Sequence, residues 1–130
     1  MLRAKNLKTE KIRRLLGLGA RARSLSLGSR ETRAAMRRGQ VHLILLARGG
    51  SPRDQERLER LAEEEGVPLG LLTVDADGLG EWVGRNRVAV IGMTDRNLAH
   101  AIRAELTRQD SADTGHGPDE GPSKRGGSKT

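Results

Sequence analysis

Arg30, Arg33 and Arg37 recur at i, i+3 and i+7, the spacing that gathers side chains on one stripe of a helix. Arg38 stands beside the stripe, and Gly28 and Ser29 come just before it. A guanidinium carries a fixed fork of donors that matches phosphate oxygens and guanine edges. A glycine at a helix start lets a ligand approach the first backbone N–H groups, which favour anions. Any one of these arginines is equally a good helix former on a solvated face. The charge around them changes that balance. Residues 1–40 hold 12 basic and 2 acidic side chains, net +10, whereas residues 41–106 are net −3 and residues 107–130 net zero. Stripe, glycine and local charge together point to a surface for nucleic acid.

Residues suited to catalysis or metal binding are sparse by comparison. The chain has no cysteine, which excludes a disulfide scaffold, a thiolate metal site and a thiol nucleophile. His42, His100 and His116 lie far apart and lack metal-ligand spacing; His42 reads as lying in a strand and His100 in a helix. Asp75 and Asp77 fit turn-forming carboxylates better than a cation site. Ser24, Ser26 and Ser29 have no evident base, and Gly17-Leu18-Gly19 follows a helix, the wrong context for a dinucleotide loop. The sequence therefore predicts no enzyme and no cofactor. Trp82 is the only aromatic residue. Binders of single strands stack bases on aromatic side chains, so the expected target is a folded nucleic acid read by backbone and shape.

The elements that must position these groups follow from periodicity. Residues 7–18 place Leu7, Ile12, Leu15 and Leu16 near one side of a helix, away from Lys8, Lys11, Arg13 and Arg14, and Gly17 and Gly19 are expected to end it. SLSLG at 24–28 alternates as a short strand, and Ser29 is expected to cap a helix reaching Gly39, with Glu31 in its first turn and Ala35 and Met36 facing inward. VHLILLA at 41–47 is apolar at nearly every position, the mark of an interior strand covered on both faces. Ser51-Pro52-Arg53-Asp54 opens a third helix with Leu58, Leu61 and Ala62 inward and Glu56–Arg60 paired outside, ended by Gly66-Val67-Pro68.

LGLLTV at 69–74 is the next strand, 77–84 a short helix or helical turn held down by Trp82, and 87–93 a last strand. Thr94 is expected to cap a final helix striped with Leu98, Ala101, Ile102 and Leu106. Helices alternating with strands predict an α/β fold, a three-layer α/β/α sandwich on one sheet. Residues 1–106 form the expected domain. Residues 107–130 are polar and glycine-rich, and are expected to be a disordered tail in which His116 is solvated. No apolar run reaches the length of a membrane span or signal peptide, so no membrane partner is expected, and a monomer in the cytoplasm is.

Residues 14–103 resemble the L7Ae/L30e ribosomal-protein family, most of all small bacterial L7Ae-like proteins of the YlxQ type. The likeness rests on LLGLGARARSLSLG at 15–28, Gly28-Ser29-Arg30-Glu31 followed by Arg37-Arg38-Gly39, LILLARGGSP at 43–52, GVPLGLLTV at 66–74 and LGEWVGRNRVAVIGM at 79–93, in that order. The resemblance implies a mixed four-stranded, L30e-like sheet and non-catalytic binding of structured RNA. The target would be ribosomal RNA or a kink-turn-like element, with ribosomal proteins as further neighbours. It also implies a face in two parts. One comprises Gly28, Ser29, Arg30, Glu31, Arg33, Arg37 and Arg38, and the other Val83, Gly84, Arg85 and Asn86. In the family's Gly-x-Asn-Glu-x-x-Lys pattern, Arg30 stands at the asparagine and Ala34 at the lysine, while Glu31 is retained. The aspartate after the central strand is Gly49. Two other functions fit the same fold: a protein-interaction or adaptor domain using Glu56 to Glu65 or Leu69 to Leu72, and a recognition subunit of an RNA-modifying system.

Overall fold

The computed structural model describes residues 2–114, with side chains from 9 to 108. The chain runs α1 (Leu2–Arg21), β1 (Leu25–Leu27), α2 (Ser29–Arg37), β2 (Leu43–Arg48), α3 (Pro52–Glu65), β3 (Leu69–Asp75), α4 (Ala76–Trp82), β4 (Val90–Met93) and α5 (Arg96–Thr114). The strands form one mixed sheet in the order β1-β4-β2-β3. β4 pairs antiparallel with both β1 and β2, and β2 pairs parallel with β3. β1, β2 and β3 therefore run one way and β4 the other.

Alternation along β2 builds two cores. Leu43, Leu45 and Ala47 face one side of the sheet, where they meet Ile12 and Leu16 of α1, Leu79 of α4 and Ile102 of α5. Ile44 and Leu46 face the other, where Ala35 and Met36 of α2 and Leu58 and Ala62 of α3 close over them. The outcome is the three-layer α/β/α sandwich, with β2 buried on both faces as its apolar run requires. Each fully buried Leu or Ile contributes about 1.5–3 kcal/mol, so the central strand is the main anchor of the fold.

Local chemistry sets most of the boundaries. Ser51 Oγ accepts from the Asp54 N–H at 3.3 Å with Pro52 opening α3, and Gly66 closes that helix in the left-handed conformation at φ 71. Six expectations are corrected. Gly17 and Gly19 do not end α1, which continues to Arg21; at Gly19 a Cβ would come within 2.6 Å of Leu98 Cδ2, so the glycine permits close packing of α1 on α5. The cap of α5 is Asp95, whose Oδ1 accepts from the Leu98 N–H at 3.0 Å, and not Thr94, whose N–H donates to Ser24 O at 2.9 Å. His42 precedes β2, and β4 begins only at Val90 because 87–89 belong to the preceding loop. On α3 the pairing is from Gln55 Nε2 to Glu59 Oε2, at 3.2 Å, rather than between Glu56 and Arg60. Finally, α5 runs past 106 to Thr114. The side chains of Leu7 and Lys8, and the tail from 115 with His116, lie outside the described residues.

Two polar groupings add to these cores, one tying α2 to the sheet and one tying two helices within a layer. Ser26 Oγ and Thr32 Oγ1 are 3.0 Å apart beneath α2, in space left by Gly92, where a Cβ would stand 2.5 Å from Ser26 Oγ. Between α1 and α5, the buried Glu105 carboxylate receives Lys11 Nζ and Arg108 Nη1, both at 3.1 Å.

Candidate nucleic-acid interface

Strand direction decides what converges. The carboxyl ends of β1, β2 and β3 share an edge with the start of β4, and backbone hydrogen bonds stitch the loops there. Gly28 N–H donates to Val90 O at 2.8 Å, Ala47 N–H to Ala89 O at 2.9 Å, and Val88 N–H to Ala76 O at 3.0 Å. The amino ends of α2, α3 and α4 and the loop before β4 thus lie along one rim, the usual place for ligands on an open α/β sheet.

At the start of α2, Gly28 is the cap residue, with φ 96 and ψ 159. A side chain there would meet nothing within 4 Å, so glycine is needed for the backbone conformation rather than for space. Ser29, expected as the cap, is the first helical residue, and its Oγ accepts from Arg33 Nη1 at 2.6 Å. Glu31 Oε1 accepts from the Leu27 N–H at 3.2 Å and ties the turn shut. The helix therefore opens without a side-chain cap, and its first amides face the rim as an anion-favouring end. Arg30 is exposed at this end, while Arg33 is partly buried and held by Ser29. Arg37 and Arg38 are exposed at the far end of α2, Arg37 about 10 Å along the axis from Arg30. Arg38 Nε donates to Gln40 Oε1 at 3.1 Å. The arginine stripe is real, but it leads away from the rim rather than along it.

The second part of the site is built on Gly80. A Cβ at Gly80 would lie 2.9 Å from Arg85 O, Arg87 N and Asn86 C, so the glycine lets the loop rest directly on α4. Gly80 O also accepts from Val83 N–H at 3.1 Å and from Arg85 N–H at 2.7 Å. Gly84 turns the chain at φ 78. Arg85 and Asn86 are exposed, whereas the Val83 side chain is 8% exposed and packs into the core, so it can offer a ligand only its backbone.

Sequence reasoning passed over Arg87. Its Nη1 is 3.2 Å from Asp77 Oδ1 and its Nη2 donates to Gly49 O at 3.4 Å, so one side chain links the loop, α4 and the turn after β2. Between the amino ends of α2 and α3 lies a cleft of about 120 Å³, lined among others by Ser29, Ala47, Gly50, Ser51 and Ala89. The signal for it was the Gly49-Gly50 pair directly after the central strand. Among the described residues, no group of three or more His, Asp or Glu could hold a metal ion, and no helix is long and apolar enough to cross a membrane.

Comparison with known proteins places this architecture. No functionally curated protein matches the chain. A protein of unknown function from Bacillus halodurans is 28% identical, with a TM-score of 0.71 over 75% of this chain and 97% of its own. The Giardia lamblia 15.5 kD RNA-binding protein shares the fold at 20% identity, with a TM-score of 0.66 over 81% of this chain and 88% of its own. The family model described as ribosomal protein L7Ae/L30e/S12e/Gadd45 matches residues 10–102, which span the whole sheet and every loop of the rim. The chain belongs to the ribosomal protein L7Ae/L30e/S12e/Gadd45 family.

Proposed function

We propose that the protein binds structured RNA without catalysis, as a ribosomal or ribosome-associated component of the small bacterial L7Ae-like kind. The observation that carries this reading is the rim itself. The uncapped amino end of α2 with Arg30 and the Gly80-supported loop with Arg85 and Asn86 are stitched to the same strand ends through Val90 and Ala89. Family membership supports RNA as the ligand, as does the fold shared with the Giardia RNA-binding protein. Arg30 reads guanine edges or phosphate, Asn86 offers an amide to a base, and Arg85 and the helix amides hold phosphates. Trp82 is packed against the core, so recognition proceeds through backbone, groove edge and shape rather than by stacking.

The test is a salt titration against a kink-turn RNA and a control with the kink destroyed. Affinity should fall steeply with salt for both and remain higher for the kink-turn at every concentration. Absence of binding to either RNA at low salt refutes the proposal. A second reading, a protein-interaction domain, is favoured by Leu71, which is 64% exposed on the edge strand β3. A partner bound there would lose affinity on Leu71→Ser and be indifferent to Arg30.

A further inference from the structure

The basic excess of the N-terminal third is not confined to α2. On α1, Arg14 and Arg21 are seven residues apart, hence on one stripe, about 10 Å from end to end. Both are exposed, and neither has a hydrogen bond or ion pair among the described residues. By contrast Lys11 is engaged with Glu105, and Arg13 with Glu10 at 2.8 Å, which also neutralises that acid. Gly17 lies between the two arginines, one turn from each. A Cβ on it would stand 3.7 Å from Trp82 O and 3.9 Å from Arg21 Nη1. This flank of α1 therefore abuts the end of α4, directly beside the residue that leads into Val83 and the Arg85 loop.

We propose that the Arg14–Arg21 flank of α1 is a second RNA contact, which grips the phosphate backbone of a duplex stem as it leaves the rim past Arg85. The inference rests on the RNA-binding reading above and extends it to a face outside the rim. A duplex fits better than a single strand. The flank carries two fork-shaped cations, and the chain's only aromatic residue is packed against the core, so bases have no aromatic platform to stack on. Two arginines anchored about 10 Å apart along the helix axis can meet separate phosphates, and A-form duplexes are held through such backbone contacts.

The experiment compares wild type, R14Q/R21Q, R14K/R21K and R30Q on two kink-turn RNAs, one with a short flanking helix and one extended by about ten base pairs. On the extended RNA, R14Q/R21Q should bind roughly tenfold more weakly. Its plot of log affinity against log salt should be shallower by about 1.4–1.8, the loss of two phosphate contacts. On the short RNA it should match wild type, and R14K/R21K should keep most of the salt slope on both. R30Q should weaken both RNAs alike. Unchanged thermal melting checks that the exposed substitutions leave the fold intact. An R14Q/R21Q variant that binds the extended RNA like wild type, or that loses as much on the short one, overturns the inference and leaves the rim in place. Wild type that binds neither RNA refutes the RNA-binding reading, and this inference with it.

Discussion

Alanine at position 80 should damage the candidate interface from beneath, without replacing any residue that faces the ligand. Its Cβ would stand 2.9 Å from Arg85 O, Asn86 C and Arg87 N, and because all three are backbone atoms the 85–87 segment as a whole must move. Helix propensity acts the other way and favours alanine by about 1 kcal/mol. Overpacking of this kind costs about 1–3 kcal/mol, and weakening the 2.7 Å hydrogen bond from Arg85 N–H to Gly80 O costs about 1 kcal/mol more. The net is a loss of about 1–3 kcal/mol, read as a lower urea midpoint at unchanged slope. Gly17→Ala is the matched control. It too is a helical glycine, but its Cβ meets Trp82 O at an ordinary 3.7 Å, so propensity should prevail and stability should rise by up to about 1 kcal/mol. In buffer, where both variants are folded, Gly80→Ala should lose RNA affinity about tenfold or more, a change worth about 1.4 kcal/mol. If Gly80→Ala unfolds at the same urea concentration as Gly17→Ala and binds RNA like wild type, this close approach does not position the loop.

Three further outcomes are expected. Asp95→Ala should cost about 1 kcal/mol of stability through loss of the α5 cap, and Thr94→Ala distinctly less; equal effects in denaturant titrations would contradict the assignment of the cap. Thr32→Val preserves shape but removes the buried partner of Ser26 Oγ, so a loss of about 1–2 kcal/mol is expected, and no loss would mean that the pair adds nothing to the docking of α2. Arg30→Ala should weaken RNA binding and narrow the preference for the kink-turn over its control. Arg37→Ala, at the far end of α2, should weaken both RNAs more evenly, as titrations of the two RNAs in parallel would show.

Much of this architecture is legible in the sequence because its signals are local. The apolar run at 41–47 reads as a strand buried on both sides because alternation must feed two cores at once, and Ser51-Pro52-Asp54 reads as a helix start because capping involves neighbouring residues. Errors arise where a distant residue decides. Gly17 and Gly19 look like stops, yet packing overrides propensity, since Leu98 of α5 occupies the space a side chain at Gly19 would take. Thr94 and Asp95 are both chemically able to cap α5; the Thr94 N–H is drawn to Ser24 O beside β1, which leaves Asp95 at the helix start. At the candidate interface, the arginine stripe of α2 follows from spacing alone. Ser29 holding Arg33 is also local, an i, i+4 pair hidden by the expectation of Ser29 as the cap, whereas the inward face of Val83 and the three segments joined by Arg87 depend on strand order, which no short-range pattern encodes.

The position of β4 has a kinetic consequence. It is last of the four strands in the chain, yet it lies between β1 and β2 in the sheet, and its contact with β1 spans a sequence separation of 66 residues at Ser26 and Gly92. Closing so long a loop is entropically costly and slows folding. During synthesis, β1 waits without a neighbour until Val90 arrives to take the Gly28 N–H. Before then the amino end of α2 lacks the hydrogen bond that fixes it to the sheet edge, however helical it already is. The rim should therefore mature in a single late step, and a chain truncated before residue 90 should carry every arginine of the α2 stripe with no surface on which to present them.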